Sequence, residues 1–221
     1  MNRFDGMPGE LIFLVDDDDA VRASLRALLE TAGYRTAQFG SGTDFLHSPD
    51  IGLGFCVLLD VKMPGPDGLE VQRQLNERGE TLPVIILTGH GDIAMAVQAI
   101  RAGAVDFLEK PVSRDRLLKS VARALDIDHC VRQDQRERSE IGSRLRGLSR
   151  RERQVLERLV RGRTNKFVAR ELGISPRTIE VYRRNVMTKM GADSLSHLVR
   201  MTLLAGFDPV GNDTVAARGS N

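Results

Sequence analysis

A short apolar run that ends on a carboxylate most constrains how this chain can fold. Residues 55–59 are apolar, Asp60 follows them, and the next eight residues, VKMPGPDG, are rich in proline and glycine. A run of this length between turn residues is typical of a buried parallel strand. Asp60 would then lie at the carboxyl edge of a sheet, where open α/β folds bind their ligands.

Other short apolar runs in the first half of the chain also end on groups that can bind a cation or a phosphoryl group. The runs at residues 11–15 and 84–87 are followed by Asp16 and Asp17 and by Thr88, and the shorter segment Phe107-Leu108-Glu109 is followed by Lys110. If all four runs are parallel strands of one sheet, these side chains converge on the same edge as Asp60.

Strand-like and helix-like segments alternate through residues 1–125, with five of each. This alternation predicts an α/β domain with a doubly wound, five-stranded parallel sheet and right-handed crossovers. Asp19 is interpreted as the N-cap of the first helix. Residues 126–143 are polar and charged, with acid–arginine pairs four residues apart, and predict a helical linker.

The last part of the chain predicts an all-α domain of four helices at residues 144–206. Ser149 and Glu152 form a capping-box sequence, and Ser175-Pro176 is a second helix start. Two short helices joined by the tight turn at residues 173–175 indicate a helix-turn-helix. The small, polar residues 207–221 are expected to be disordered.

The charge of the chain is divided unequally between its halves. Residues 1–125 hold 13 Lys/Arg against 18 Asp/Glu, a balance of −5, whereas residues 126–221 hold 19 against 12, a balance of +7. Residues 144–200 alone hold 15 against 5, a balance of +10. A basic helical domain behind an acidic one indicates nucleic-acid binding by the second half, although a solvated basic surface would show the same balance.

Several classes of protein are disfavoured by what the sequence lacks. It has no secretion signal, no run long enough for a membrane helix, and only two cysteines, which do not form a metal-ligand pattern. We therefore expect a cytoplasmic protein without membrane contact. The four histidines are interpreted as surface or loop residues: His47, His90, His129 and His197.

The predicted edge of the sheet combines residues suited to phosphoryl chemistry. Asp16, Asp17 and Asp60 would repel one another unless a hard cation binds them, and Mg²⁺ suits their oxygen ligands. With Mg²⁺ present, Asp60 can act as a nucleophile toward an incoming phosphoryl group. Thr88 can donate a hydrogen bond to one phosphoryl oxygen, and Lys110 can neutralise another.

These motifs and their order resemble the NarL/FixJ family of two-component response regulators, most closely its FixJ branch. The resemblance runs from Leu11 to about Gly206 and includes the segment SPRTIEVYRRNVMTKM. It implies a receiver domain joined to a LuxR-type helix-turn-helix domain. It also implies that Asp17 is the main acidic Mg²⁺ ligand, that the backbone carbonyl of Lys62 is a further one, and that Phe107 turns inward when Thr88 moves.

The second helix of the predicted helix-turn-helix carries the candidate DNA contacts. Glu180 and Arg184 are one turn apart, and Arg and Glu can read guanine and cytosine edges. By resemblance to the family, the base contacts fall on Glu180, Val181 and Arg184. The residues expected to contact the DNA backbone are basic and face outward: Lys166, Arg177, Arg183 and Lys189.

The resemblance implies a response regulator that accepts a phosphoryl group on Asp60 from a sensor histidine kinase. It would then form a homodimer, bind double-stranded promoter DNA and regulate transcription, as an activator with RNA polymerase as a partner. It is not expected to be an enzyme beyond its own phosphotransfer and dephosphorylation. Two alternatives stay open: a DNA-binding protein that uses the receiver only to dimerise, and an aspartyl-phosphate hydrolase, which usually has an acid where Lys62 stands.

Overall fold

The computed structural model describes residues 9–89 and 93–207 and divides the chain into two compact units after Arg132. Each unit has its own hydrophobic clusters.

The first unit is built on a five-stranded sheet in the order β2-β1-β3-β4-β5, and every neighbouring pair is parallel. Its elements follow one another as β1 (Leu11–Val15), α1 (Asp19–Thr31), β2 (Arg35–Phe39), α2 (Gly42–Leu46), a 3₁₀ turn (Ile51–Leu53), β3 (Cys56–Asp60), α3 (Gly68–Glu77), β4 (Val84–Thr88), α4 (Ile93–Arg101), β5 (Asp106–Glu109) and α5 (Arg114–Arg146). The predicted doubly wound parallel sheet is therefore confirmed.

Helices cover both faces of this sheet, which explains why β1, β3 and β4 are apolar along their length. Alternate strand residues point to opposite faces. Phe13 and Leu59 pack with residues of α2, α3 and α4, whereas Leu14 and Leu58 pack with residues of α1 and α5. The strands are thus held rigidly between two layers, and their carboxyl ends are fixed relative to one another.

The strand register brings the predicted site residues to one edge of the sheet. Asp60 pairs with Leu87, and Thr88 pairs with Glu109, so β3, β4 and β5 end side by side. The chain after Asp60 turns sharply back at Gly68, where an added Cβ would lie 2.3 Å from the carbonyl oxygen of Asp60. Only glycine fits this turn, which keeps α3 close beneath the site.

The start of α1 differs from the sequence prediction by one residue. Asp18, not Asp19, is the N-cap: its backbone is extended, and its side chain accepts hydrogen bonds from the amides of Ala20 and Val21. Asp19 is already helical, and its carboxylate pairs with Arg22 one turn later. A run of four aspartates offers several possible caps, and the side chain of Asp18 is the one that reaches the first amides of α1.

The predicted linker at residues 126–143 lies within α5, which continues without a break from Arg114 to Arg146. Near its middle, Arg132 pairs with the buried Asp128 at 2.5 Å and donates a hydrogen bond to the carbonyl of Gly54. Near its end, Ile141 is buried in a hydrophobic cluster of the second unit. The helix therefore contributes its first part to one unit and its last part to the other.

The second unit contains α6 (Arg150–Val160), α7 (Asn165–Leu172), α8 (Pro176–Met190) and α9 (Leu195–Leu204). The capping box of Ser149 and Glu152 is formed in both directions. Ser175 caps α8, whose first residue is proline, and Gly173 ends α7 in a left-handed conformation with φ 66°. The predicted helix-turn-helix therefore consists of α7, the turn at residues 173–175, and α8.

The remaining predictions concern the tail and the histidines. Phe207 packs against the second unit's core, and residues 208–221 lie outside the described residues, as does His90. His47 and His129 are exposed, whereas His197 is half-buried on α9. Within the described ranges, no helix is both long enough and apolar enough to cross a membrane.

Candidate functional site

Three carboxylates lie together at the carboxyl edge of the sheet. Asp16 and Asp60 are buried, whereas Asp17 is exposed, and one carboxylate oxygen from each lies within 4.8 Å of the others. β1 positions Asp16 and β3 positions Asp60, and these strands are hydrogen-bonded neighbours. The structure therefore brings together the three acids that were predicted to share a cation.

Lys110 connects two of these acids. Its Nζ atom lies 2.5 Å from Oδ2 of Asp16 and 2.5 Å from Oδ1 of Asp60. The backbone amide of Lys110 donates to the carbonyl of Thr88 at 2.7 Å, and the Lys110–Pro111 peptide bond is cis. Lys110 is thus held at the site by its backbone as well as by its ammonium group.

Asp60 and Lys110 influence each other's pKa. Burial raises the pKa of Asp60, while the hydrogen bond from Lys110 and the backbone amide of Lys62 oppose that rise. Burial lowers the pKa of Lys110, but hydrogen bonds to Asp16 and Asp60 outweigh this and raise the pKa above its ordinary value. Lys110 is therefore protonated at neutral pH and compensates part of the negative charge.

Thr88 and Phe107 lie on the neighbouring strands β4 and β5, where Thr88 pairs with Glu109 and Phe107 with Ile86. Thr88 is fully buried at the end of β4. Phe107 is partly buried in β5 and packs against the core on the side of α2, α3 and α4. Sequence reasoning missed Arg22, which donates to the backbone carbonyl of Asp16. Its spacing of three residues from Asp19 on a helix was a signal, but nothing in the sequence linked it to Asp16.

The acidic cluster fits a divalent cation by the chemistry of its donors. Carboxylate oxygens are the ligands that Mg²⁺ prefers, and two of the three acids are fixed by strands. Three carboxylates against one lysine leave an excess of negative charge that a divalent ion would balance. The exposure of Asp17 leaves one side of the cluster open to solvent and to a phosphoryl donor.

The predicted base-contacting residues share one exposed surface of α8. Glu180, Val181 and Arg184 are all exposed, with Val181 at 51%. On the opposite side, α8 packs into the domain through residues that are fully buried: Ile179, Val186 and Met190. This division between faces was predicted from the sequence, and it leaves the candidate surface free to enter a DNA groove.

The four predicted backbone-contacting residues are in different environments. Lys166 and Arg177 are exposed, and Arg183 is half-buried. Lys189 donates to Glu152 at 2.7 Å, and Glu152 also accepts from the amide of Ser149. The hydrogen bond from Lys189 lowers the pKa of the Glu152 carboxyl. Lys189 therefore joins the end of α8 to the start of α6, a role that the sequence did not reveal.

Two family models match the chain, one for each unit. Residues 12–122 match the response regulator receiver domain, and residues 146–202 match the bacterial regulatory proteins of the luxR family. The parallel sheet with its acidic edge and the helix-turn-helix of α7 and α8 define the same two parts. The protein is thus a response regulator that joins a receiver domain to a LuxR-type DNA-binding domain.

Similar proteins share this organisation over nearly their whole length. The transcriptional regulatory protein FixJ of Azorhizobium caulinodans is 50% identical over 94% of this chain and 99% of its own. Full-length FixJ from B. japonicum is 47% identical, with a TM-score of 0.54 over 90% of this chain and 98% of that structure. The response regulator StyR is 38% identical, with a TM-score of 0.77 over 89% and 99%.

The chain belongs to the NarL/FixJ family of two-component response regulators. It is a regulator of transcription and not an enzyme of the usual kind, which sets aside the hydrolase alternative. Its receiver domain implies a sensor kinase as partner, and its LuxR-type domain implies DNA.

Proposed function

We propose that transfer of a phosphoryl group to Asp60 controls DNA binding by the second unit. The observation that carries this proposal is the bridge from Lys110 to Asp16 and Asp60, at 2.5 Å from each. A buried nucleophilic carboxylate beside an ammonium group and two further acids is the arrangement that phosphoryl transfer requires.

The reaction is a displacement at phosphorus. An oxygen of Asp60 attacks the phosphoryl group carried by a histidine of the sensor kinase; the P–N bond breaks, and the imidazole nitrogen keeps the bonding electron pair. Asp16, Asp17, Asp60 and the backbone carbonyl of Lys62 would hold Mg²⁺, which would neutralise charge on the phosphoryl oxygens. Lys110 then exchanges its contact with Asp60 for a phosphoryl oxygen, and Thr88 hydrogen-bonds another.

A groove beside the site provides a surface for the sensor kinase. Its volume is about 500 Å³, and it is lined by an apolar face of α1 and by the segment after β5. Lys110 belongs both to this groove and to the acidic cluster. A kinase helix that packs in the groove would therefore bring its phosphohistidine next to Asp60.

Phosphorylation at the site can alter the surface of the receiver through the packing of Thr88, Phe107 and α4. Thr88 and Phe107 lie on adjacent strands, so Phe107 can move into space that Thr88 leaves when it turns toward the phosphoryl group. Helix α4, which packs beside β5, exposes apolar side chains one turn apart: Ile93 at 84%, Val97 at 44% and Ile100 at 49%. We infer that two phosphorylated receivers pair through this face.

Pairing of the receivers brings two DNA-binding domains to one promoter. Each α8 then enters the major groove of one half-site, with base contacts from Glu180, Val181 and Arg184 and backbone contacts from Lys166, Arg177 and Arg183. Coupling two weak contacts raises the overall affinity without any new contact. Promoter DNA and RNA polymerase place this activity in the cytoplasm, and polymerase is the expected further partner.

The experiment compares the wild-type protein with Asp60→Asn and with Asp126→Asn, which removes an exposed acid of α5. Acetyl phosphate and Mg²⁺ should label the wild-type protein and Asp126→Asn but not Asp60→Asn. The labelled proteins should sediment as dimers and should select a DNA sequence with two half-sites from a random pool.

Two outcomes would contradict the proposal. If Asp60→Asn bound the selected DNA as tightly as the labelled wild type, the receiver would serve dimerisation alone, as in the remaining alternative. If the labelled protein stayed monomeric on that DNA, the coupling through α4 would be wrong even with Asp60 as the acceptor.

A further inference from the structure

The segment before and within α7 forms an exposed cationic surface. Residues 161–170 contain four basic residues and no acidic residue: Arg161, Arg163, Lys166 and Arg170. All four are exposed. Glu171, which follows them, is paired with Arg158 at 2.8 Å. Among the residues that the structure describes, none of the four is paired with a carboxylate, so their charge is available to an anionic partner.

Phe167 lies at the centre of this surface. Its neighbours Val168 and Ala169 are buried in the domain, whereas Phe167 itself is 37% exposed. The guanidinium carbon of Arg163 lies 4.9 Å from the centroid of the phenyl ring, and that of Arg170 lies 5.7 Å from it. Both distances are within the range in which a cation is attracted by an aromatic face.

These contacts restrict two side chains that are otherwise free to rotate. An arginine at an exposed position samples many rotamers, and it loses that freedom when it binds a phosphate. A guanidinium group already held against a ring has lost part of this freedom before its ligand arrives. Phe167 therefore orders Arg163 and Arg170 without neutralising either charge, which an acidic partner would do.

We propose that Phe167 is a positioning residue for the DNA backbone, because it holds Arg163 and Arg170 ready to bind phosphates beside the major groove. This inference rests on DNA binding by the second unit. In a helix-turn-helix the first helix crosses the DNA backbone while the second reads the bases. Here the first helix is α7, and Arg forms paired hydrogen bonds to phosphate oxygens.

An acidic protein such as RNA polymerase is the other class of partner whose charge is complementary to this surface. The place of the cluster in the fold favours DNA, since α7 directly precedes α8 and is separated from it only by the turn at residues 173–175. Lys166 lies on the same helix and is independently expected to contact phosphate.

The test measures binding of the phosphorylated full chain to its selected DNA and to an unrelated duplex over a series of salt concentrations. Phe167→Leu keeps an apolar side chain but removes the aromatic face. It should weaken binding to both duplexes roughly three- to tenfold, with little change in the salt slope because the number of phosphates contacted is unchanged. Arg163→Ala should instead lower the slope by about 0.9 for each protomer, or about 1.8 for the dimer on two half-sites.

Phe167→Leu is also tested in two arginine and lysine variants, and Phe167→Tyr tests whether an aromatic ring is sufficient. In the double variant Arg163→Ala, Arg170→Ala, the change Phe167→Leu should cause no further loss, because no cation remains to be positioned. Lys166 does not stack on the ring. In the Lys166→Ala background, Phe167→Leu should therefore keep its full effect on DNA binding. Phe167→Tyr should bind like the wild type, and the melting temperatures should agree among all these proteins.

The proposal is overturned if Phe167→Leu binds both duplexes like the wild type, or if its loss persists without the two arginines. Reduced transcription with unchanged DNA binding would also overturn it and would assign the surface to an acidic protein partner. A wild-type protein that bound no DNA at all would refute the underlying function, which distinguishes that failure from failure of this inference.

Discussion

The end of α5 belongs to the core of the DNA-binding unit, and this has a measurable consequence for its stability. Ile141 is only 2% exposed and packs in the cluster that contains Val186 and Met190 of α8. On the same part of α5, Arg144 donates to the carbonyl of Met190 at 2.9 Å. A fragment that begins at Arg144, the domain boundary expected from the sequence, would therefore lack Ile141.

The loss should be large relative to the stability of so small a domain. Truncating a buried isoleucine to alanine costs about 2–5 kcal/mol. A domain of roughly 60–90 residues has a free energy of unfolding of about 3–13 kcal/mol in total. Each kcal/mol corresponds to roughly 4–8 °C in melting temperature at this size. The change Ile141→Ala should therefore lower the melting temperature by roughly 8–40 °C.

The assay is thermal unfolding followed by circular dichroism on two fragments, one beginning at Gln133 and one at Arg144. The longer fragment should melt cooperatively, and the shorter one should melt at least about 8 °C lower because it lacks Ile141. Ile141→Ala in the longer fragment should reproduce most of that difference. Glu137→Ala, an exposed position in the same stretch of α5, is the control and should change little.

Equal melting temperatures for the two fragments would refute the reasoning, because they would show that the cluster closes without Ile141. A normal melting temperature for Ile141→Ala combined with a low one for the short fragment would assign the effect to other residues of 133–143. The longer fragment is also the one that should bind DNA without phosphorylation, since it keeps the whole core.

Three further predictions concern charged residues. Because Lys189 lowers the pKa of Glu152, this carboxylate should stabilise the domain above the ordinary glutamate pKa and lose its contribution as the pH falls below it. Glu152→Gln should therefore lower the free energy of unfolding at neutral pH and make that free energy depend less on pH in the acidic range. Urea unfolding across a pH series measures both effects. Lys110→Met should raise Mg²⁺ affinity several-fold in a metal titration, because it removes a cation that competes for Asp16 and Asp60, and it should abolish phosphorylation-dependent DNA binding. Asp17→Asn should weaken Mg²⁺ more than Asp18→Asn, since Asp18 is used as the N-cap of α1; equal effects would contradict the ligand assignment.

Much of the receiver could be predicted because its site follows from strand ends. Parallel strands finish at one edge, so four apolar runs that end on polar groups were enough to bring Asp60, Thr88 and Lys110 together. The helix-turn-helix was predictable for a related reason. Ser175, Pro176 and Gly173 act through their own backbone and caps, and such local effects depend little on the rest of the fold.

What could not be predicted depends on contacts between residues that are distant in sequence or on competition among equivalent ones. The four aspartates after β1 are all chemically able to cap α1; in the structure Asp16 is buried, Asp19 is already helical and pairs with Arg22, and Asp18 is the cap. The charged residues of 126–143 indicated a separate connector, because the sequence does not show where a long amphipathic helix changes its partners. Ile141 was noticed as apolar, but its partners lie some 45 residues further along the chain.

Lys189 shows why exposure and charge do not by themselves define a DNA contact. The sequence placed it among the basic residues of the recognition helix, and the structure leaves it half-exposed but bonded to a buried carboxylate of α6. Moving its ammonium group to a phosphate would leave Glu152 with one fewer partner at a position that is 4% exposed, and an unpaired buried charge is costly. Lys189 therefore has a competing structural role, whereas Lys166 and Arg177 do not show one. If Lys189 keeps this pair on DNA, the salt slope should reflect, for each protomer, one phosphate fewer than the number of basic residues on the outward faces of α7 and α8.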